Sequence, residues 1–87
     1  MDGVVTYGKF ELEHRTIEVL GPEGGTHVWL RRISGPFPLD LGTIKNIGAT
    51  DQTMRLIDRI EWSANLRIEC ETKALETYRQ GRQERPE

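Results

Sequence analysis

The chain has 87 residues, of which 36% are hydrophobic and 30% are charged, with a net charge of -2 at neutral pH. This length and composition suit one folded domain with one hydrophobic core, and we expect residues 1–87 to form a single domain. The charge disfavours a dedicated nucleic-acid-binding protein, because neutralising phosphates requires clustered lysine and arginine, and no apolar run approaches the roughly 20 residues that span a bilayer.

Glycine and proline are concentrated in the first half of the chain. Eight of the nine glycines and three of the four prolines precede residue 49, and residues 49–80 contain neither. Because both residues punctuate turns and are costly inside helices, the pattern predicts a β-meander over 1–48 and a helical segment over 50–80. The remaining residues, 81–87, are expected to fray. The fold class is therefore α+β, with three or four antiparallel strands followed by one long or two shorter C-terminal helices.

Three strands are predicted from apolar residues that alternate with polar ones. A turn at 13–16 places Leu12 opposite Ile17, and a four-residue loop at 22–25 places Val19 opposite Val28. Both registers give the sheet one apolar face, made of Phe10, Leu12, Ile17, Val19, Val28 and Leu30. After a proline-rich loop, residues 39–47 can supply a short fourth strand around Thr43 and Ile44.

The helical segment is expected to begin at Thr50 or Asp51, either of which can cap a helix, and to stop at Gly81. Its apolar stripe at helical spacing consists of Ile57, Ile60, Ala64, Ile68, Leu75 and Tyr78. One continuous helix of this length extends about 45 Å, so it breaks near residues 63–65 or its overhang is covered by another chain. Residues 59–62 and 66–70 also alternate with a period of two, and a hairpin over this stretch is the competing interpretation.

The opposite face of the predicted sheet carries a candidate binding surface. His27, Trp29 and Arg31 lie on it, and Arg32 follows directly. Tryptophan and arginine beside one another have the composition of a protein-interface hot spot. The alternative is that the C-terminal helix packs on this face and buries Trp29 as core.

A second candidate surface is a ridge of Trp62, Leu66 and Cys70, spaced by four residues on the side of the helix away from the main stripe. A helix that is apolar on two sides needs two partners, one of which can be a second copy or another protein. In the alternative interpretation these residues join the core.

No residue pattern indicates catalysis, a cofactor or a metal site. The two histidines lack a nearby third ligand, and Cys70, the single cysteine, can form neither an internal disulfide nor a thiolate cluster. A lone cysteine fits a reducing compartment, and the first residues lack the layout of a signal peptide, so we expect a cytoplasmic protein.

The sequence therefore favours a small non-enzymatic module that binds a protein partner and acts as a regulator or inhibitor by occluding the partner's surface. Small acidic domains of this kind include accessory proteins encoded by phages and mobile elements. Two alternatives remain. One is a single-stranded nucleic-acid-binding protein that uses the basic and aromatic strand His27 to Arg32, and the other is a homodimeric structural protein.

Overall fold

The computed structural model describes residues 3–57 and 62–83. In chain order these ranges form β1 (Val4–Leu12), β2 (Arg15–Pro22), β3 (Val28–Arg32), β4 (Leu39–Lys45), β5 (Thr53–Leu56) and α1 (Ala64–Gln83). Each strand pairs antiparallel with the next one, so the sheet is a meander of order β1-β2-β3-β4-β5. The α+β class is confirmed, with five strands where three or four were expected.

The first hairpin has a tighter turn than the sequence suggested. Leu12 pairs with Arg15 and Phe10 pairs with Ile17, so the predicted register is wrong by two residues. Because side chains alternate across a strand with a period of two, this shift leaves every side chain on its predicted face. The turn residue Glu13 has a φ of 56°, the left-handed conformation that tight hairpin turns use.

The second hairpin is also displaced by two residues, in the opposite direction. Val19 pairs with Leu30 rather than with Val28, because Pro22 is still part of β2 and the loop begins at residue 23. The apolar face survives this shift as well. Five of its six predicted residues are fully buried and the sixth, Phe10, is half-buried against them; the five are Leu12, Ile17, Val19, Val28 and Leu30. This side of the sheet, which α1 covers, is called the inner face below.

The segment predicted to be helical from residue 50 instead begins with a strand. Thr53–Leu56 forms β5 and pairs with the segment Gly42 to Lys45 of β4. In β5, half-buried Met54 and Leu56 alternate with exposed Thr53 and Arg55. A four-residue run is too short for its period to separate a strand from a helix, and the open edge of β4 decides the outcome.

The helix α1 begins at Ala64, where the hydroxyl oxygen of Ser63 accepts a hydrogen bond of 3.1 Å from the Leu66 amide and so caps the first turn. The helical state of residues 64–70 excludes the competing hairpin. The part of that hairpin at 59–61 lies outside the described residues. At 20 residues α1 is about 30 Å long, which fits the 38 Å longest extent of the molecule without the expected overhang.

The buried side of α1 is not the stripe that the sequence predicted. Its buried residues are Leu66, Cys70, Ala74, Tyr78 and Gly81. Ile68, assigned to the core from the pattern, is 63% exposed. The predicted stripe included Ile57 and Ile60, which precede the first residue of α1, so its phase was not that of the helix. Gly81 does not end the helix either, since α1 continues to Gln83.

Close approach to β1 fixes how α1 lies on the sheet. A Cβ atom at Gly81 would overlap the backbone of Tyr7, so only glycine permits this separation. The Tyr7 and Tyr78 rings meet edge to face, with centroids 4.8 Å apart. The Tyr78 hydroxyl donates a hydrogen bond of 2.8 Å to the Gly25 carbonyl, which ties α1 to the loop after β2. Judged by length and hydropathy, no helix within the described ranges can cross a membrane.

Candidate protein-binding face

The side of the sheet opposite α1 is called the outer face, and it is represented by Lys9, Glu18, Trp29, Arg31 and Asp40. Strand β3 shows the separation of the two faces most clearly. Its residues Val28 and Leu30 are fully buried, whereas Trp29 and Arg31 between and beyond them are exposed. Because α1 packs on the inner face, the alternative in which the helix buries Trp29 is wrong. The prediction that Trp29 lies on an outer surface is confirmed.

Trp29 forms the apolar centre of the outer face. The residue is 36% exposed, and its cross-strand neighbours are Leu20 on β2 and Thr43 on β4. With Leu20 and the 59% exposed Val4, it lines a depression of about 270 Å³. The His27 ring contacts the Trp29 ring edge to face at a centroid distance of 5.6 Å. The indole is therefore held in place beside a small apolar hollow.

A row of alternating charges crosses the outer face next to Trp29. Register pairs Lys9 with Glu18, Glu18 with Arg31, and Arg31 with Asp40, on four successive strands. The Arg31 guanidinium donates two hydrogen bonds to one Glu18 carboxylate oxygen, from Nη2 at 2.6 Å and from Nε at 3.2 Å. Such a partly exposed pair stabilises the fold by only about 0.2–1 kcal/mol, so its main effect is to fix the two side chains.

The remaining predicted binding residues lie elsewhere. Arg32 pairs with Ile17 and Leu39, on the inner side of the sheet, and its guanidinium donates to the carbonyl oxygens of Ser34 at 3.0 Å and Phe37 at 3.4 Å. It therefore braces the loop after β3. The structure brings together only His27, Trp29 and Arg31 from the predicted set.

The predicted helix ridge belongs to the core. Leu66 is 9% exposed and Cys70 is fully buried. Trp62 is half-buried against the same cluster, and the Arg15 guanidinium lies 5.9 Å from its ring centroid. The indole Nε1 of Trp62 is buried and has no hydrogen-bond partner within the described part of the chain. The alternative interpretation, in which these residues join the core, is the correct one, because α1 turns this side toward β1.

Sequence reasoning missed four residues of the outer face: Val4, Lys9, Leu20 and Asp40. Leu20 carried a signal, because it follows Val19 and breaks the alternation of β2 with an apolar residue at an outward position. Val4 and Asp40 carried none. Their place beside Trp29 depends on the register of β1 and β4, including a bulge between Leu30 and Arg31.

Two other depressions are lined by basic side chains. One, of about 490 Å³, lies at the end of α1 and is lined by Arg79 and Arg82. The other, of about 330 Å³, is lined by His14, Arg15 and Arg32. The second depression is also lined by Ser34, whose hydroxyl oxygen accepts a hydrogen bond of 3.2 Å from the Thr16 amide. Across residues 3–57 and 62–83, no three side chains capable of ligating a metal lie together.

Cys70 has the environment of a core residue. Burial, with a smaller contribution from the nearby carboxylate of Glu71, raises the pKa of its thiol to about 11. The thiol is therefore neutral at physiological pH, and a neutral thiol is a poor nucleophile.

The outer face combines a half-exposed tryptophan, an adjacent apolar hollow and a rim of fixed charges. An aromatic residue inside a polar rim is the composition of a protein-binding surface. No family model matches this chain, and comparisons with curated proteins and with solved structures give no significant match.

Proposed function

We propose that this chain is a small non-enzymatic protein-binding module and that its binding surface is the outer face. The observation that carries the proposal is the position of Trp29, 36% exposed at the centre of a sheet face that α1 leaves uncovered. Tryptophan buries more area than other side chains and dominates interface energetics when a partner excludes water from it. The hollow lined by Val4 and Leu20 supplies the neighbouring apolar contact.

The module acts as a regulator or inhibitor in the cytoplasm by covering a surface of its partner. Two observations support this mode of action. The binding surface is one face of an open sheet, which suits occlusion better than it suits the enclosure of a small ligand. The one cysteine is a buried free thiol, which fits a reducing compartment.

Nucleic acid is a less well supported partner. Arg31 is engaged with Glu18, and Asp40 lies beside it on β4. Arg32 donates to backbone carbonyls of its own loop. The strand that was expected to contact phosphates therefore presents balanced rather than surplus positive charge.

The alternative of a homodimeric structural protein gains support from the charged row. Its four residues alternate in sign, in an order that a second copy of the same face can complement. This candidate uses the same surface as the binding module and differs from it in the identity of the partner.

Substitution of Trp29 tests the proposal. Trp29→Thr removes the indole but keeps a residue that suits a strand, and Ile68→Ala, on the exposed side of α1, is the matched control for loss of exposed apolar area. Proteins retained from an extract of the source organism by the wild-type chain are identified and purified. Their affinities for the wild-type chain and for both variants are then measured by calorimetry at low and high salt.

We expect Trp29→Thr to weaken binding at least about 30-fold, as loss of a hot-spot residue does, while Ile68→Ala leaves the affinity unchanged. The affinity should change little with salt. Equal affinity of the wild-type chain and Trp29→Thr would contradict the proposal, and so would retention of nucleic acid with a steep salt dependence.

A further inference from the structure

The charged row of the outer face is antisymmetric about its middle. Read across the strands β1 to β4 it is Lys9, Glu18, Arg31 and Asp40, which is plus, minus, plus, minus. Neighbouring strands lie about 4.8 Å apart, so the backbone positions that carry the four charged side chains are about evenly spaced. Reading the row in the opposite direction places a positive residue at each position that held a negative one, and a negative residue at each position that held a positive one. The midpoint of the row lies between β2 and β3.

This order has a consequence for two copies that meet face to face. A two-fold axis that lies in the interface and runs along the strands between β2 and β3 sets Lys9 against Asp40 of the second copy. The same axis sets Glu18 against Arg31 of the second copy. A two-fold axis that runs across the strands instead opposes each residue to itself, and like charges then repel. The charges therefore select one orientation of a symmetric pair.

The same two-fold axis also sets apolar residues of the two copies against each other. The adjacent row across the sheet is Thr6, Leu20, Trp29 and Thr43, with Leu20 on β2 and Trp29 on β3. Reversal of this row places Trp29 of each copy against Leu20 of the other. Facing sheets pack about 10 Å apart, a gap that side chains from both sheets fill. One axis thus satisfies both the charged row and the apolar row.

We propose that the outer face is a self-association surface whose occupant is a second copy of this chain, in a two-fold symmetric dimer packed sheet on sheet. The inference rests on the proposed function, since it takes the outer face to be a protein-binding surface and names the partner. Antisymmetry is the reason for this choice of partner. A symmetric dimer requires its surface to complement itself, whereas an unrelated protein places no such demand on the order of the charges.

Charge reversal at positions 18 and 31 tests the arrangement. Glu18→Arg and Arg31→Glu each replace two attractive contacts across the axis by two repulsive ones. Each variant alone should therefore dimerise at least about 100-fold more weakly than the wild-type chain. An equimolar mixture of the two variants restores both attractive contacts, and it should form a heterodimer with near wild-type affinity.

The double variant E18R/R31E provides the control for folding. It keeps the pair within one chain, which each single variant loses, and its charged row is again antisymmetric. It should dimerise with itself but not with the wild-type chain, because in the mixed pair both facing positions carry like charges. Sedimentation equilibrium measures the masses, and circular dichroism verifies that each variant is folded.

The outcomes separate this inference from the proposed function. If the mixture associates no better than its components, or if the wild-type chain stays at its monomer mass at every concentration, the two-fold dimer is wrong. In that case Trp29-dependent binding of another protein leaves the proposed function intact. If the mixture restores dimerisation and the double variant excludes the wild-type chain, the dimer is confirmed. If Trp29→Thr alters neither dimerisation nor the binding of any partner, both proposals fail.

Discussion

The inner and outer faces of the sheet are built from alternating residues of the same strands, yet they differ in burial and in charge. On the inner face, β1 to β4 and α1 enclose a core in which Leu30, Ile44 and Cys70 have no exposed surface. On the outer face, Trp29 remains partly exposed and Arg31 is held by a surface ion pair. Burial is therefore concentrated on the inner face, and the proposed association uses the outer face.

Two adjacent residues of β3 give the sharpest contrast between the faces. Leu30→Ala should reduce the free energy of unfolding by about 2–5 kcal/mol, because it opens a cavity among fully buried neighbours. Arg31→Ala should reduce the free energy of unfolding by about 1 kcal/mol or less, because it removes only a partly exposed ion pair. Urea denaturation of both variants provides the comparison, and equal losses would show that the two faces are not distinct in stability.

Substitution at Gly81, where α1 contacts β1, should give the next largest effect on the free energy of unfolding. Alanine is favoured over glycine in a helix by about 1 kcal/mol, so propensity alone predicts that Gly81→Ala is stabilising. The structure predicts the opposite sign, a loss of about 1–3 kcal/mol, because a Cβ atom there overlaps the Tyr7 backbone. Gln80→Ala, at the exposed neighbouring position, is the control and should be neutral or slightly stabilising. Thermal unfolding decides the sign.

On the inner face, the buried thiol of Cys70 should give a smaller change in the free energy of unfolding, and this change should depend on pH. Because burial raises the pKa of its thiol from 9.0 to about 11, the unfolded chain releases the thiol proton at lower pH than the folded chain does. The stability contributed by the neutral thiol is complete below about pH 9 and is lost as pH rises through about 11. Cys70→Ala should lack this alkaline loss. A wild-type unfolding free energy that stays flat relative to Cys70→Ala across this range would contradict a buried thiol.

The sequence predicted the faces of the sheet better than it predicted the registers. Leu12, Ile17, Val19 and Val28 were assigned correctly because alternation in a strand does not depend on turn length. The length and position of a turn decide the register: the first turn has two residues rather than four, and the second loop begins one residue later than expected. Both hairpins were consequently displaced by two residues, a change to which the assignment of faces is insensitive.

The second half was harder to predict because local pattern competes there with tertiary context. β5 exists because β4 offers it an edge, and its four residues carry no decisive period. The buried side of α1 includes Ala74 and Gly81, which are small because the helix lies close to β1 rather than because they are apolar. The candidate surface was found through Trp29, but the charged row depends on three registers that no local signal encodes.

We expect the inner face to stabilise the fold and the outer face to associate. The most direct test of this division is the mass of the wild-type chain and of Trp29→Thr, measured as a function of concentration. The wild-type mass should rise from 10.0 kDa toward twice that value, while Trp29→Thr stays near 10.0 kDa. At dilution, where both are monomeric, their free energies of unfolding should agree within about 1 kcal/mol. Identical mass curves would contradict self-association through Trp29, and a loss of stability in Trp29→Thr as large as that in Leu30→Ala would contradict a separate face for folding.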